Sequence, residues 1–557
     1  MQKVCKQCSA AFEVTDEDLE FLKTISPVFN GKAELIPPPT LCPQCRRQRR
    51  MAWRNHCQVY KNPAPSKEYA GFSMWIPTSP FPIYENEYWF SDTQDPFVFG
   101  EAINPDKPFF DQFMTVHDRA PRYALDTLRM ENSDYSNNAD DSKNCYLCFN
   151  ISRSEDCTAS DTIYTCRDCI DCTRMFGSER CAECIDCERC YGLQNGRSCE
   201  NCSDSFFLHN CRGCRNCIGC VNLRHQQYCV FNEQKTPEEF AAILKELSLN
   251  SYKERQAFRE KFDAFVLLHP QPHATMRMTE DSTGNYLVQC NDVNECTAIQ
   301  EGEHLRHCEF LFSGAHHCHD VTLFGIRAEY CYESCIMGLD AVRCSFCESV
   351  WEGTCDMLYS AFCVSCKNCF GCTGLHRKQY CILNKQYTKE EYEEIVPRLI
   401  THMRETGEWG EFFPIEKSPV PYNQSLAQFY FPLTRSEAEE KGYRWYEETP
   451  AERQAMNAED LPDTVPEKDD VIIVKSAQSG RPFKITAQEI RRYRESGLPL
   501  PRTTYDERME DRTRQLGGIR LYDRTCAKTG KPIRTTYPPD SAWIVWDKEV
   551  YDSEFAG

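Results

Sequence analysis

CAECIDCERC, residues 181–190, sets Cys181, Cys184, Cys187 and Cys190 three apart. It lies inside a run of seventeen cysteines, Cys145 to Cys229, all separated by multiples of three. A second register appears at eighteen: Cys148, Cys166, Cys184, Cys202 and Cys220, each followed two residues later by Asn150, Asp168, Asp186, Asp204 or Asn222. A fivefold C-x-[DN] column marks tandem repeats. An 18-residue unit is too short for a helical hairpin and suits one coil of a parallel β-solenoid, with three short strands and three corners. Coils would stack about 4.8 Å apart, with small cysteines inside and Asn or Asp at the corners. Strands alternate with period two, so a spacing of three needs a corner between many neighbouring cysteines.

The columns break to Ile163, Met175 and Leu193, and apolar residues replace packing groups rather than metal ligands. That favours a packing ladder. Serial zinc or iron–sulfur sites are the alternative. Candidate ligands are Cys181, Cys184, Cys187, Cys190, Cys211, Cys214, Cys217 and Cys220, with Cys363, Cys366, Cys369 and Cys372 in a second array. Residues 217–240 match residues 369–392 at an offset of 152, so the array is duplicated. Each copy ends in a T-x-x-E capping box, Thr236 with Glu239 and Thr388 with Glu391, and an amphipathic helix that covers the open end.

Near the N-terminus, CKQC (5–8) and CPQC (42–45) form two CxxC pairs. Soft thiolates at that spacing complete a tetrahedron, so Cys5, Cys8, Cys42 and Cys45 are expected to bind one structural Zn²⁺. The helix expected after Cys45 carries Arg46, Arg47, Arg49, Arg50 and Arg54, a candidate nucleic-acid contact. Residues 474–485 repeat residues 3–14 with Ser476 and Ser479 in place of Cys5 and Cys8. Thr504 and Glu507 replace Cys42 and Cys45. This second finger keeps the fold signal without a zinc shell. A further cluster holds His304, His307, Cys308, His316, His317, Cys318 and His319, a candidate second metal site.

The expected class is mostly β and multidomain. A treble-clef or zinc-ribbon finger (1–57) precedes an aromatic, Pro-rich β unit (58–124) and the first Cys-rich β-solenoid-like array (125–235). A capping helix and connector (236–268), the second array (280–388) and its capping helix (389–406) follow. A linker (407–470), a degenerate metal-free finger (471–520) and a C-terminal β unit resembling the first (521–557) complete the chain. The 557 residues hold 37 cysteines and a formal charge of −20. MQKVCKQC offers no apolar leader and no run is long enough to span a bilayer, so a cytoplasmic protein with reduced thiols is expected. The acidic balance argues against broad nucleic-acid or membrane binding.

The motifs CKQC…CPQCRRQRRMAWRN, NCYLC, CIGCVNLR, YCVFN and TCAKTGKPI resemble a family of cysteine-rich zinc-ribbon proteins of candidate-phyla bacteria, over nearly the whole chain. The resemblance implies zinc and a cytoplasmic setting, and carries no activity. In relatives the C-terminal finger keeps its cysteines, and this chain departs there. The leading functional reading is a non-enzymatic zinc scaffold meeting a protein partner, RNA or the ribosome through the Arg-rich finger. Alternatives are multi-metal storage or electron transfer by the arrays, and a β-solenoid enzyme of unassigned chemistry. No nucleotide-binding, serine-hydrolase or HExxH motif occurs, and no organic cofactor is indicated.

Overall fold

The computed structural model describes residues 1–55, 57–61, 71–91, 93–133, 135–303, 305–308, 312–316, 332–334, 350–351, 355–447 and 454–555. Helices are interspersed with the strands, twelve among the described residues, so the chain is mixed rather than mostly β.

An eleven-stranded sheet runs from Thr127–Leu128 to Glu233–Gln234, its strands adjacent in chain order. All neighbours are parallel except the last pair, Cys229–Val230 with Glu233–Gln234. Phe149 pairs with Asp161, Asp161 with Thr173, and Thr173 with Ile185. The repeat is therefore twelve residues, which corrects the 18-residue coil. Four triplets make one turn of chain, and eighteen is one and a half turns. The C-x-[DN] column alternates between opposite sides of the stack.

Every third residue has a left-handed backbone, including Asn150, Asp168, Asp186, Asp204 and Asn222, with φ of 53°, 54°, 55°, 48° and 61°. Two extended residues and one left-handed residue turn the chain through a corner, so a spacing of three keeps every cysteine inside. This explains the Asn and Asp two places after Cys, because those side chains tolerate the left-handed region best after Gly. That conformation costs an ordinary residue about 1–2 kcal/mol. Ladder hydrogen bonds offset it at about 1 kcal/mol net each. Tyr146 N–H donates to Cys157 O (3.0 Å) and Ala159 N–H to Tyr146 O (2.9 Å). Side chains stack too: Asn132 donates to Asn144, and Asn144 to Asp156. Neither term stabilises a lone turn, so stability comes from stacking.

The interior is a narrow shaft with four columns of side chains. Cys145, Cys157, Cys169 and Cys181 give way to Leu193 in one, and Ile151, Ile163 and Met175 lead to Cys187 in another, all buried. Serines extend other columns, as where Ser154 Oγ accepts from Cys166 N–H at 3.2 Å. The second array repeats the twelve-residue register in Gly284↔Cys296 and in Cys355↔Lys367↔Gln379. Both arrays close alike. Asn232 brackets Val221 N–H and O, and Asn384 brackets Thr373 N–H and O, before an antiparallel reversal.

The helices Phe109–His117 and Tyr252–Leu267 cover equivalent faces of opposite arrays. Phe109 packs on Tyr359 and Phe370, at 5.1 and 5.0 Å between ring centres, and Phe258 packs on Phe207 at 4.8 Å. Phe207 and Tyr359 are related by the 152-residue offset. Each array is also preceded by a strand with a parallel partner outside the array: Arg122–Tyr123 pairs with Ile83–Tyr84, and Gln271–Pro272 with the distant Val545–Trp546. Of the two capping helices, Lys389–Thr406 buries Tyr392, Val396, Leu399, Ile400 and Met403, whereas Pro237–Glu246 buries only Phe240.

Residues 407–447 are not a spacer. Trp409, Phe412, Phe413, Ile415, Tyr422 and Leu426 are buried in the main cores, and Phe113 stacks on Phe413 at 4.7 Å.

Two buried imidazoles couple this packing to pH. His209 bonds Gln271 Oε1 at 2.6 Å between the first array and the strand leading into the second, and His117 is enclosed beside Trp53. Burial, helped by Arg197 and Arg122 respectively, pulls both pKa values down to about 4, below the 6.5 of a free imidazole. Their contribution is complete above about pH 6.5 and lost as pH falls towards 4, because the unfolded chain takes up those protons first. Lowering pH from 7 to 5 is expected to cost about 2 kcal/mol per histidine. Urea midpoints at the two pH values should fall less for H117N/H209N than for the wild-type chain.

Candidate metal centre

The hairpin Gln2–Val4/Ala11–Glu13 presents the first pair of cysteines. Cys5 N–H donates to Ala10 O and Ser9 N–H to Cys5 O, both at 2.9 Å, and Ser9 takes a left-handed φ of 60° to make the knuckle. The second pair opens the helix Pro43–Met51: Cys42 is its N-cap, Pro43 its first residue, and Cys45 lies in its first turn. Lys6 N–H donates to Thr40 O at 3.1 Å and ties hairpin to helix. The four sulfurs lie within 4.8 Å of one another, with Cys5, Cys42 and Cys45 buried and Cys8 exposed.

Cys8 Sγ and Cys42 Sγ are 3.7 Å apart. Zn–S bonds of about 2.3 Å at tetrahedral angles need sulfurs about 3.8 Å apart. The donor set and spacing therefore fit a closed four-thiolate shell. The positive end of the helix dipole favours thiolates at Cys42 and Cys45. The neighbouring thiols, Cys45 first, pull Cys42 down to about 5, while Cys42 pushes Cys45 up. Without a cation, four clustered thiols cannot all ionise, and a divalent ion removes that conflict.

No family model, curated protein or solved structure matches this chain.

The second finger keeps this frame bond for bond. Ser476 N–H donates to Arg481 O, Gly480 N–H to Ser476 O and Ala477 N–H to Arg502 O, all at 2.9 Å. Thr504 caps the helix Tyr505–Gln515 in a box with Glu507. Where Cys5 and Cys45 would share an ion, Ser476 Oγ–H donates to the Glu507 carboxylate. A third copy escaped sequence comparison, which matched 521–555 only to the β unit at 58–122. In Tyr522–Thr525/Pro532–Thr535, Cys526 N–H donates to Lys531 O and Gly530 N–H to Cys526 O, both at 2.8 Å. Asp547 N–H donates to Cys526 Sγ at 3.2 Å, just before the helix Lys548–Phe555. The hairpin register, with strand ends seven residues apart in Val4↔Ala11, Lys475↔Pro482 and Thr525↔Pro532, was the available signal.

The arginine helix is not a phosphate-binding surface. Arg46, Arg47, Arg49, Arg50 and Arg54 are each at most 7 % exposed. Arg46 donates to Leu41 O, Arg47 to Ile519 O and Arg54 to Asn150 Oδ1. Arg49 pairs with Glu333 at 2.6 Å and Glu411 at 2.8 Å. Burial opposes its charge, but the two carboxylates outweigh it and raise its pKa. The helix is an internal strut. Arg508 and Arg512 of the second finger do the same at Asp171 of the first array, at 2.7 and 3.1 Å.

Of the histidine cluster, His304, His317, Cys318 and His319 lie outside the described residues, and His316 is described only as backbone. His307 Nδ1 faces Glu295 at 3.5 Å and Cys308 is buried. The array cysteines Cys181, Cys184, Cys187, Cys190, Cys211, Cys214, Cys217 and Cys220, with Cys363, Cys366, Cys369 and Cys372, are buried shaft residues carrying free thiols. A cleft of about 450 Å³ borders the second array, between Trp89, Phe97 and Pro121 on one side and Thr373, His376 and Lys378 on the other.

Removing one partner of a buried ion pair strands the other charge, at about 3–5 kcal/mol. R49A is expected to lower stability by that amount in urea unfolding. R49A/E333Q should recover part of the loss. An R49A chain as stable as wild type would contradict the strut.

Proposed function

We propose that this protein is a non-enzymatic scaffold: two β-solenoid arrays locked together by treble-clef-like fingers, the first holding one structural Zn²⁺ at Cys5, Cys8, Cys42 and Cys45. The observation that carries the reading is the convergence of these sulfurs from a knuckle and a helix start, in a frame repeated elsewhere with hydrogen bonds alone. Four protein ligands leave no position for substrate, so the ion's role is to hold the finger shut. When bound, zinc supplies charge neutralisation and cross-linking. Cys42 and Cys45 fix the helix, and Cys5 and Cys8 fix the hairpin against it.

Burial of the five arginines and the charge of −20 favour a protein partner over RNA. The faces offered to that partner are the outer rungs of the stack. One such rung alternates Glu131, Lys143, Glu155, Arg167 and Glu179 in register. Alternating charge stabilises stacked strands and keeps the surface from pairing with copies of itself.

Plasma mass spectrometry of protein purified anaerobically under reducing conditions is expected to find zinc at the first finger. C42S/C45S should lose that ion and unfold several degrees lower, while S476A/E507Q leaves zinc unchanged. Zinc retained in C42S/C45S would refute the site. Nucleic acid that co-purifies through a high-salt wash would refute the preference for a protein partner.

A further inference from the structure

Two columns of the first array do not behave as packing alone requires. One runs Ile151, Ile163, Met175, Cys187, Cys199, Cys211, Leu223. Its neighbour, three residues later, runs Ser154, Cys166, Ser178, Cys190, Cys202, Cys214, Gln226. In the earlier turns isoleucine and methionine fill the first column, and serine alternates with Cys166 in the second, all buried. In three consecutive turns both columns change to cysteine together, and both change back together. On the opposite side of the same turns cysteine gives way to Leu193 and Gly196, then Ser205 and Leu208, and returns at Cys217 and Cys220. Leu193 lies over Gly196, whose missing Cβ would sit 2.3 Å from the leucine side chain.

The six thiols form a ladder two wide and three deep. Ile185 pairs with Arg197, and Glu188, Glu200 and Arg212 pair in register, which stacks Cys187, Cys199 and Cys211 in one column and Cys190, Cys202 and Cys214 in the next. Cys190 Sγ also reaches the Cys199 carbonyl at 3.7 Å, and Cys202 Sγ the Cys211 carbonyl at 3.4 Å, each in the following turn. Each thiol donates to the carbonyl two residues back, as Cys187 does to Ile185 O and Cys199 to Arg197 O, at 3.4 and 3.3 Å. The ladder is thus complete when protonated. Among the described residues, these sulfurs do not gather within 4.8 Å as the N-terminal four do.

A tetrahedral ion wants four converging sulfurs; a soft monovalent cation is satisfied by a pair and can share sulfurs with the next ion. We propose that Cys187, Cys190, Cys199, Cys202, Cys211 and Cys214 form a binding ladder for Cu(I), distinct from the zinc finger. Each Cu(I) replaces the protons of the two thiols that hold it. Those protons pass to solvent and no electron is transferred. The apolar shaft excludes water and oxidant from the ions.

The test is an anaerobic titration of the full-length, reduced chain with Cu(I) held by a chromogenic bidentate chelator. Bound copper and the near-ultraviolet thiolate-to-copper band are read together. The control substitutions come from the neighbouring turns: C187I/C190S/C199I/C202S/C211I/C214S. That variant is expected to take up less copper than wild type, with zinc at the finger unchanged. Equal uptake would overturn the ladder. M175C/S178C adds a rung and is expected to bind more copper, which tests the proposal even where the sixfold variant does not fold. No gain in that variant would count against it. A C42S/C45S background, titrated alongside, separates copper in the ladder from copper displacing zinc, so either site can fail alone.

Discussion

The left-handed residue at every third position is the constraint on which the arrays rest. It makes a corner of each triplet, directs one side chain in three into the shaft, and sets the turn at twelve residues. It also limits what can stand where. Asn, Asp and Gly relieve the backbone cost, and the inward place accepts Cys, Ser, Ala, Ile, Leu or Met but little that is larger. The narrowness of the shaft follows from the backbone, and the preference for small inward side chains follows from the narrowness.

Much of this was legible. Triplet spacing, the C-x-[DN] column and the 152-residue duplication are all in the chain, and a stacked parallel architecture follows from them. The period was misread because 12 and 18 share the factor six. Cys148, Cys166 and Cys184 do repeat at eighteen, but on alternating sides of the shaft. Ile163 and Met175 pair in register, and a search at twelve would have found that column. The convergence of the four N-terminal cysteines was readable because CxxC spacing encodes its own geometry. The replacement of their sulfurs by Ser476, Thr504 and Glu507 was readable because the surrounding apolar and capping residues stayed in place.

The arginine helix was misjudged for a different reason. Composition shows five cations in nine residues, and such a cluster reads as surface. Their partners, Glu333, Glu411, Ile519 and Asn150, are scattered along the chain. No local pattern announces a neutralising carboxylate hundreds of residues away. The same holds for residues 407–447, whose prolines and polar residues suggest a spacer. Trp409, Phe412 and Phe413 become core through distant partners: Phe413 against the helix Phe109–His117, Phe412 against Trp53 and Trp409 against Tyr359.

That helix has a consequence for how the protein is made. Phe109, Phe110 and Phe113 find their cover in Tyr359, Phe370 and Phe413, about 250–300 residues downstream. A ribosome adding roughly 5–20 residues per second leaves these rings uncovered for on the order of 15–60 s. The first array, by contrast, receives Phe258 within tens of residues of its last turn. The nascent chain therefore assembles its middle first and closes its beginning last, and it carries a sticky aromatic helix through most of its own synthesis.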